Sequence, residues 1–267
     1  MESIFDIPAD LDTPVSAYLR LRSLRPRYLL ESVEGGHTGR YSFIGFGDTH
    51  TVTIEDDGVY SAGRLLDGEV LPGLRKALAD APLCAPEDEA SPFGGGLVGV
   101  TAFDLVRRLY RLPASPHDTI GPDGDYITTS SILVFDHLTR RMALIHSGSE
   151  TERRRLRSVV QSALRGALGH GSKQSRHEPA TPSMTRSEYI GGVEAVKRHI
   201  EAGDVYQLVL SIRFGGETEV DPFAAYRALR LLNPSPYMYF IDTGDRQVVG
   251  SSPEALARLK GHKAELR

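Results

Sequence analysis

The chain has 267 residues, of which 40% are hydrophobic and 25% are charged. This composition excludes disorder throughout, and the length suits one large or two small domains with a real core. Its 31 basic and 35 acidic side chains leave a net charge of -4, which argues against duplex DNA or an anionic membrane as partner. Small molecules and proteins remain as ligands.

The only cysteine, Cys84, cannot form an internal disulfide or a cysteine metal cluster. The first residues are acidic and lack the basic and apolar regions of a signal peptide, and no later stretch has the length and hydropathy of a membrane span. We therefore expect a cytoplasmic protein.

Short strands alternate with fewer helices in the first part of the chain, which predicts an α+β fold. The predicted strands share apolar, β-branched or aromatic residues and lie at 28–32, 41–45, 51–54, 132–135 and 142–145. A helix with an Arg-rich outer face is predicted over 150–168. A polar stretch rich in Gly and Pro follows, so we predict a first domain at 1–168, a linker at 169–184 and a second domain at 185–267.

The second domain carries sharper local signals. Thr185 and Glu188 form a capping box before an amphipathic helix that ends at Gly203. The period-two pattern of 205–214 predicts a strand with one buried side. Asp221-Pro222 predicts the start of another helix, and a hairpin is predicted at 237–250. The segment 256–267 is predicted to form a second hairpin, with a short helix after Glu254 as the alternative.

Standard catalytic motifs are absent from the sequence. Gly94 to Gly99 satisfies the spacing G-x-G-x-x-G, but a proline-bearing acidic stretch precedes it and an extended segment follows it, so tight backbone packing explains it better than dinucleotide binding. The histidines lack metal-ligand spacing, and His50, His137 and His146 are predicted to be structural. Neither a serine elbow nor an activated cysteine is present.

Two segments are unusual, LLES at 29–32 and PSPYM at 234–238. A loop braced by prolines, with exposed amides, a Tyr and a polarizable Met, can hold a flat aromatic ligand. Both segments can equally be strand edges without a ligand. Periodicity alone does not separate the two interpretations.

Seven motifs together resemble the anthranilate synthase component I family, within the group of chorismate-using enzymes. They occur in the family's order: LLES at 29–32, GGLVG at 95–99, FDLVR at 103–107, FDHL at 135–138, GDVYQLVLS at 203–211, NPSPYM at 233–238 and GSSPE at 250–254. Each motif alone is weak evidence, but their order is highly specific. The resemblance implies antiparallel sheets with helices packed on the outer faces.

The resemblance also implies a feedback site for tryptophan, formed where the two unusual segments meet. Carried over by position, Ser32, Pro236, Tyr237 and Met238 are expected to contact the inhibitor, with Met238 packing against the indole. Gln207 and Ser211 are expected either to line the chorismate cavity or, preferably, to support it. No catalytic residue is assigned within this chain.

For the complete family enzyme, the implied reaction converts chorismate and ammonia into anthranilate and pyruvate, the first step of tryptophan biosynthesis. A glutamine amidotransferase subunit is the implied source of ammonia, and Mg²⁺ the implied cofactor. Family members are roughly twice as long as this chain. The resemblance therefore implies that the catalytic half and its Mg²⁺ ligands are missing and that the fragment is inactive alone.

Two alternative functions remain open at this point. One is aminodeoxychorismate synthase component I, although Tyr237-Met238 favours the anthranilate branch. The other is a non-catalytic fragment that binds tryptophan or the amidotransferase.

Overall fold

The computed structural model describes residues 4–34, 37–84, 91–110, 112, 121–168 and 176–266. The strands in chain order are β1 (Ile7–Pro8), β2 (Tyr28–Glu31), β3 (Val33–Glu34), β4 (His37–Thr38), β5 (Tyr41–Glu55), β6 (Gly58–Ser61), β7 (Arg64–Asp67), β8 (Val98–Thr101), β9 (Gly124–Asp136), β10 (Arg141–His146), β11 (Thr181–Pro182), β12 (Phe214–Gly215), β13 (Tyr237–Asp242), β14 (Gln247–Ser252), β15 (Ala257–Lys260) and β16 (Lys263–Leu266). The helices are α1 (Pro14–Arg20), α2 (Val70–Ala79), α3 (Val106–Leu109), α4 (Glu150–Leu164), α5 (Arg186–Ala202) and α6 (Pro222–Leu232). Short 3-10 turns lie at Leu21–Leu24 and Phe103–Leu105.

The chain forms two compact units, of which the larger contains residues 1–170 and 225–267. The main element of this larger unit is a ten-stranded antiparallel sheet. Its main path runs β1, β10, β9, β5, β2, β13 and β14, while β6, β7 and β8 attach to its side. Neighbouring strands in the centre of this path come from distant parts of the chain. The expected α+β fold with antiparallel sheets is confirmed.

The two faces of this sheet carry different partners, because side chains alternate along each strand. Tyr18 of α1 and Tyr226 of α6 both make edge contacts with Phe240 of β13, so these helices pack on one face. The other face buries Tyr28 with Ile127 and Ile241. A second cluster joins Cys84 to apolar side chains of β9 and β10.

The long central pair of β5 and β9 bends at an irregularity between Phe46 and Thr49. Gly47 has φ +89° there, and a Cβ at this position would meet the Ser130 hydroxyl. Glycine is therefore the residue that allows this bulge. The two strands predicted at 41–45 and 51–54 are thus parts of one continuous strand.

Most local predictions are confirmed by the helices and hairpins. The Thr185 and Glu188 side chains form the predicted reciprocal cap of α5, and Gly203 ends that helix with φ +81°. The hairpins β13–β14 and β15–β16 lie where the turn residues place them. Among the described residues, no helix combines the length and hydropathy needed to cross a membrane.

The strand predicted at 205–214 is wrong. Only Phe214 and Gly215 pair with another strand, and Tyr206 is fully exposed rather than buried. An alternating pattern shows which side chains need cover, but a strand also needs a neighbouring ladder for its backbone groups. Within the described chain, 205–213 lies beside no such ladder.

The smaller compact unit contains residues 171–224. Its described part includes α5 and the two-stranded pair β11–β12, so part of the predicted linker forms a strand. The residue bounds of the two compact units differ from those of the predicted domains, because β13 and β14 belong to the sheet of the larger unit. The domains predicted at 1–168 and 185–267 remain predictions.

Candidate ligand-binding site

The two unusual sequence segments lie side by side in the large sheet. Antiparallel pairing of β2 with β13 places Leu30 opposite Tyr239 and Glu31 opposite Met238. The amide of Val33 then donates to the carbonyl of Ser235 over 2.8 Å, which ties the end of LLES to the loop between the two prolines. Residues about 200 positions apart in the sequence are therefore neighbours in the large sheet.

A cavity of about 720 Å³ opens at this junction. Its size falls within the range of small-molecule sites. The lining residues come from β2, the start of β5, the loop before β8, β13 and β15: Leu30, Glu31, Ser32, Gly39, Arg40, Tyr41, Phe43, Pro92, Phe93, Pro236, Tyr237, Met238, Tyr239, Ala255, Ala257 and Arg258. We call it the Ser32–Tyr237 cavity.

Aromatic rings form one wall of the Ser32–Tyr237 cavity. The Tyr41 and Phe43 centroids lie 6.4 Å apart, and Phe43 meets Phe93 edge to face at 5.5 Å. Tyr239 packs, like Phe43 and Phe93, against the buried cluster that contains Tyr28. Tyr237 is 42% exposed. Such a wall suits a flat apolar ring, since aromatic groups favour offset and edge contacts at these separations.

Ser32 lies half-buried where β2 ends. The amide of Gly39 donates to the Ser32 carbonyl over 2.8 Å, and a Cβ added at Gly39 would overlap the Ser32 side chain. Only glycine lets the start of β5 approach so closely. This approach places Arg40 beside Ser32 on the cavity wall.

The structure brings together all four residues predicted to contact the inhibitor, because Ser32, Pro236, Tyr237 and Met238 line one cavity. Met238 is 1% exposed and shares a sheet face with its pairing partner Glu31, whereas Tyr237 and Tyr239 lie on the opposite face. The contact of Met238 with an indole remains a prediction.

Glu31, a lining residue at the end of β2, directs its carboxylate to α6. Its buried carboxylate accepts hydrogen bonds from the Tyr226 hydroxyl and from Arg230, whose Nε lies 3.1 Å from Oε2. Burial and the Glu31 charge raise the pKa of Tyr226 far above its ordinary value, so its hydroxyl keeps its proton. These hydrogen bonds fix α6, and with it the loop that follows α6, against β2, which ends just before Ser32.

Two cationic side chains lie at the cavity, Arg40 and Arg258. Arg40 is paired with Asp136 of the FDHL motif, with Nη2 to Oδ2 at 3.2 Å. Sequence reasoning missed both arginines and the ring of Phe93. Their positions depend on strand register and on a loop approaching from elsewhere, for which no local pattern exists.

Other predicted positions are not among the lining residues of this cavity. Gln207 and Ser211 are exposed and are not among its lining residues. The glycines at 94–99 lead into β8 rather than a helix, so they present no helix N-terminus to a pyrophosphate. The His137 ring lies 2.8 Å from the Ser42 hydroxyl, and His146 contacts Ser131 at 2.9 Å, in keeping with structural roles.

Cys84 and the acidic residues offer no reactive centre within the described chain. Burial raises the pKa of the Cys84 thiol to about 11, so it stays protonated and unreactive near neutral pH. The described residues contain no group of three His, Cys, Asp or Glu side chains able to hold a metal ion. They do not fit a magnesium site, which needs converging carboxylates.

The fold and motifs define a chorismate-enzyme architecture, and comparison with known proteins agrees. The sequence model of the family described as chorismate binding enzyme matches residues 25–267. The chain therefore belongs to the chorismate binding enzyme family.

Two similar curated proteins carry the name anthranilate synthase component 1. The protein named anthranilate synthase component 1 from Thermus thermophilus is 38% identical over 266 residues, covering 97% of this chain and 57% of the relative. Its namesake from Pseudomonas putida is 36% identical over 282 residues, with the same coverage. The chain thus spans just over half the length of these relatives.

A solved structure shows the same fold. The crystal structure of anthranilate synthase component I from Streptococcus pneumoniae TIGR4 aligns with a TM-score of 0.68 at 29% sequence identity. The alignment covers 96% of this chain and 58% of that one.

Proposed function

We propose that this chain is part of an anthranilate synthase component I and that its Ser32–Tyr237 cavity binds L-tryptophan as a feedback inhibitor. The observation that carries the proposal is the pairing of β2 with β13, which brings Ser32, Pro236 and Tyr237 to one aromatic cavity. The names of the relatives support the enzyme assignment.

The cavity suits tryptophan in size and chemistry. An indole ring can pack on the wall formed by Tyr41, Phe43 and Phe93, because these rings are already arranged in tilted and edge-to-face pairs. The Ser32 hydroxyl and the backbone of the Pro236–Tyr237 segment offer hydrogen bonds to the polar end. Apolar surface with few polar groups is typical of a specific small-molecule site.

The activity proposed for the whole protein is that of the family's anthranilate branch. Ammonia from a glutamine amidotransferase subunit adds to chorismate with loss of its hydroxyl as water, and elimination of pyruvate then gives anthranilate. Mg²⁺ is the proposed cofactor, but the described residues supply no site for it, and we derive no step through it.

Calorimetric titration of the 267-residue chain with L-tryptophan tests the regulatory site. We expect saturable binding at one site per chain. The substitution Tyr237→Ala should weaken binding about tenfold, because it removes an aromatic wall. Tyr206→Ala is the matched control, since Tyr206 is fully exposed in the smaller unit. Absence of binding, or equal affinity of wild type and Tyr237→Ala, would contradict the proposal.

A second measurement addresses the enzyme assignment. We expect the chain alone to form no anthranilate from chorismate, Mg²⁺ and ammonia, because its described residues lack a carboxylate cluster. Supplying the part that the relatives carry beyond the match should restore fluorescent anthranilate. Formation of aminodeoxychorismate instead would assign the chain to the alternative branch.

A further inference from the structure

The segment 205–212 of the smaller unit carries consecutive unpaired backbone groups. Among the described residues, none of its amides or carbonyls takes part in a hydrogen bond. Pairing begins only at Arg213, whose carbonyl accepts from the Ser183 amide over 2.8 Å or less and whose amide donates to the Ser183 hydroxyl over 3.1 Å. Backbone donors and acceptors left open in this way are a template for pairing with another strand.

The side chains of this segment are also uncovered. Tyr206 is fully exposed and Val209 is 80% exposed. The segment contains no charged residue and no proline. Strands that stay exposed at the edge of a sheet usually carry such residues, because they prevent pairing with other chains. The segment 205–212 therefore lacks the protection that is typical of a permanently exposed edge.

Helix α5 packs against one side of this segment. A Cβ added at Gly192, in the middle of α5, would lie 2.9 Å from the Leu210 side chain, so glycine allows the close approach. Nevertheless, α5 buries none of its residues, whereas α4 buries part of its apolar face. The large apolar side chains that α5 leaves exposed are Ile190, Val193 and Ile200. A helix that covers one unpaired segment has the layer arrangement of a helix-covered sheet without its other strands.

The relatives carry further chain that is a candidate for this place. The match covers 97% of this chain but only 57% of the Thermus thermophilus protein. The Streptococcus pneumoniae structure aligns with 96% of this chain and 58% of its own. Nearly the whole of this chain thus has an equivalent in longer proteins, whose remaining part is available to cover the open segment and α5.

We propose that the segment 205–212 and the adjoining face of α5 form a docking surface for the part of component I that the relatives carry beyond the match, and that this part adds a strand to the segment. The inference rests on the proposed function, because the partner is the remainder of an anthranilate synthase component I. Main-chain pairing supplies hydrogen bonds, and the uncovered Tyr206 and Val209 supply apolar contacts. The period-two pattern then indicates a strand that forms on docking.

Hydrogen exchange of the 267-residue chain, alone and with the remaining part of the Thermus thermophilus relative, tests this docking. The two polypeptides are co-expressed and, in a second preparation, fused into one chain, since fusion raises their effective concentration. We expect a one-to-one complex in which the amides of 205–212 exchange on the order of 100-fold more slowly than in the chain alone. The amides of β9 are the internal reference and should not change.

Two substitutions at one position separate main-chain pairing from general packing. Val209→Pro removes an amide donor from the segment and should abolish the complex. The chain alone should keep its circular dichroism spectrum, because the Val209 amide has no partner among the residues that the structure describes. Val209→Thr is the matched control, since it keeps the amide and the β-branched shape, and its affinity should stay within a few-fold of wild type.

Each result decides for or against the docking surface. Equal exchange of 205–212 with and without the partner, even in the fusion, overturns the inference, and anthranilate formed without this protection leaves the proposed function standing. Protection in the chain alone assigns the segment to a second copy and also overturns it. A complex with protected 205–212 that forms no anthranilate from chorismate, Mg²⁺ and ammonia supports the docking while the enzyme assignment fails. The wild-type exchange decides the matter even if Val209→Pro does not fold.

Discussion

At the scale of single residues, the direction of one side chain changes what a motif contributes. Met238 and Tyr237 are neighbours in a strand, so their side chains lie on opposite faces of the sheet. The motif PSPYM predicts Met238 against an indole ring, and this contact stays a prediction, while Tyr237 and Tyr239, which also line the Ser32–Tyr237 cavity, lie on the face opposite to Met238. The residue types are visible in the sequence, whereas the face depends on which residue of β2 pairs with Met238.

The close approach of Gly39 to Ser32 gives a test at this scale. Gly39→Ala should weaken tryptophan binding and lower the free energy of unfolding by about 1 to 3 kcal/mol, because its Cβ would overlap the Ser32 side chain. Urea unfolding and calorimetry measure the two effects.

The control for this substitution is Gly191→Ala in α5, where a Cβ meets nothing within 4 Å. Alanine should stabilise that helix by a few tenths to about 1 kcal/mol. Equal behaviour of the two variants would show that the Gly39 contact does not constrain the site.

At the scale of elements, α6 is fixed to β2 by a buried carboxylate. Arg230→Met should lower the free energy of unfolding by about 2 to 3 kcal/mol, because the Glu31 carboxylate would then keep, among the described residues, only the Tyr226 hydroxyl as partner. Arg154→Met is the matched control, since Arg154 forms a solvent-exposed pair with Glu150 at 2.8 Å, and exposed pairs contribute little to stability. Similar losses in both variants would mean that the Glu31 cluster is not a specific clamp.

Elements also show how far the sequence predicts this fold. Helices with capping boxes and strands joined by short turns are encoded locally, so α5 and the hairpin β13–β14 are predicted correctly. The segment 205–213 has an equally clear pattern but lacks a ladder. Only the family resemblance implies that the segments at 29–32 and 234–238 meet, because contacts between residues about 200 positions apart leave no periodic signal.

The same distinction applies to the candidate site. Ser32, Pro236 and Tyr237 belong to recognisable motifs and were predicted. Arg40 precedes a strand without any unusual composition, and its pairing with Asp136 depends on the register of β9 against β5. Fixed charge in a cavity is a property of the assembled sheet rather than of a segment.

At the scale of the whole molecule, the ten-stranded sheet of the larger unit buries the titratable thiol of Cys84. Cys84 is 6% exposed, and burial raises its pKa to about 11 from 9. Between pH 9 and pH 11 the Cys84 thiol is deprotonated in the unfolded chain but still protonated in the folded one. The free energy of unfolding therefore keeps its full value below pH 9 and falls as the pH rises toward 11. The free energy of unfolding should fall by up to about 2 kcal/mol across this window.

Urea unfolding at pH 8 and at pH 11 measures this loss, and Cys84→Ala is the control. The free energy of unfolding of the variant should decline less between these two pH values. The decline that remains comes from the buried Tyr28 and Tyr226, whose pKa values are also raised by burial. Identical pH profiles for the two proteins would refute a buried thiol that titrates with folding.

The most direct test of the account is a crystal structure of the 267-residue chain grown with L-tryptophan. We expect tryptophan in the Ser32–Tyr237 cavity, with its indole on the Tyr41–Phe43 wall and its polar end near Ser32 and the Pro236–Tyr237 backbone. Tryptophan bound at another place, with this cavity empty, would contradict it.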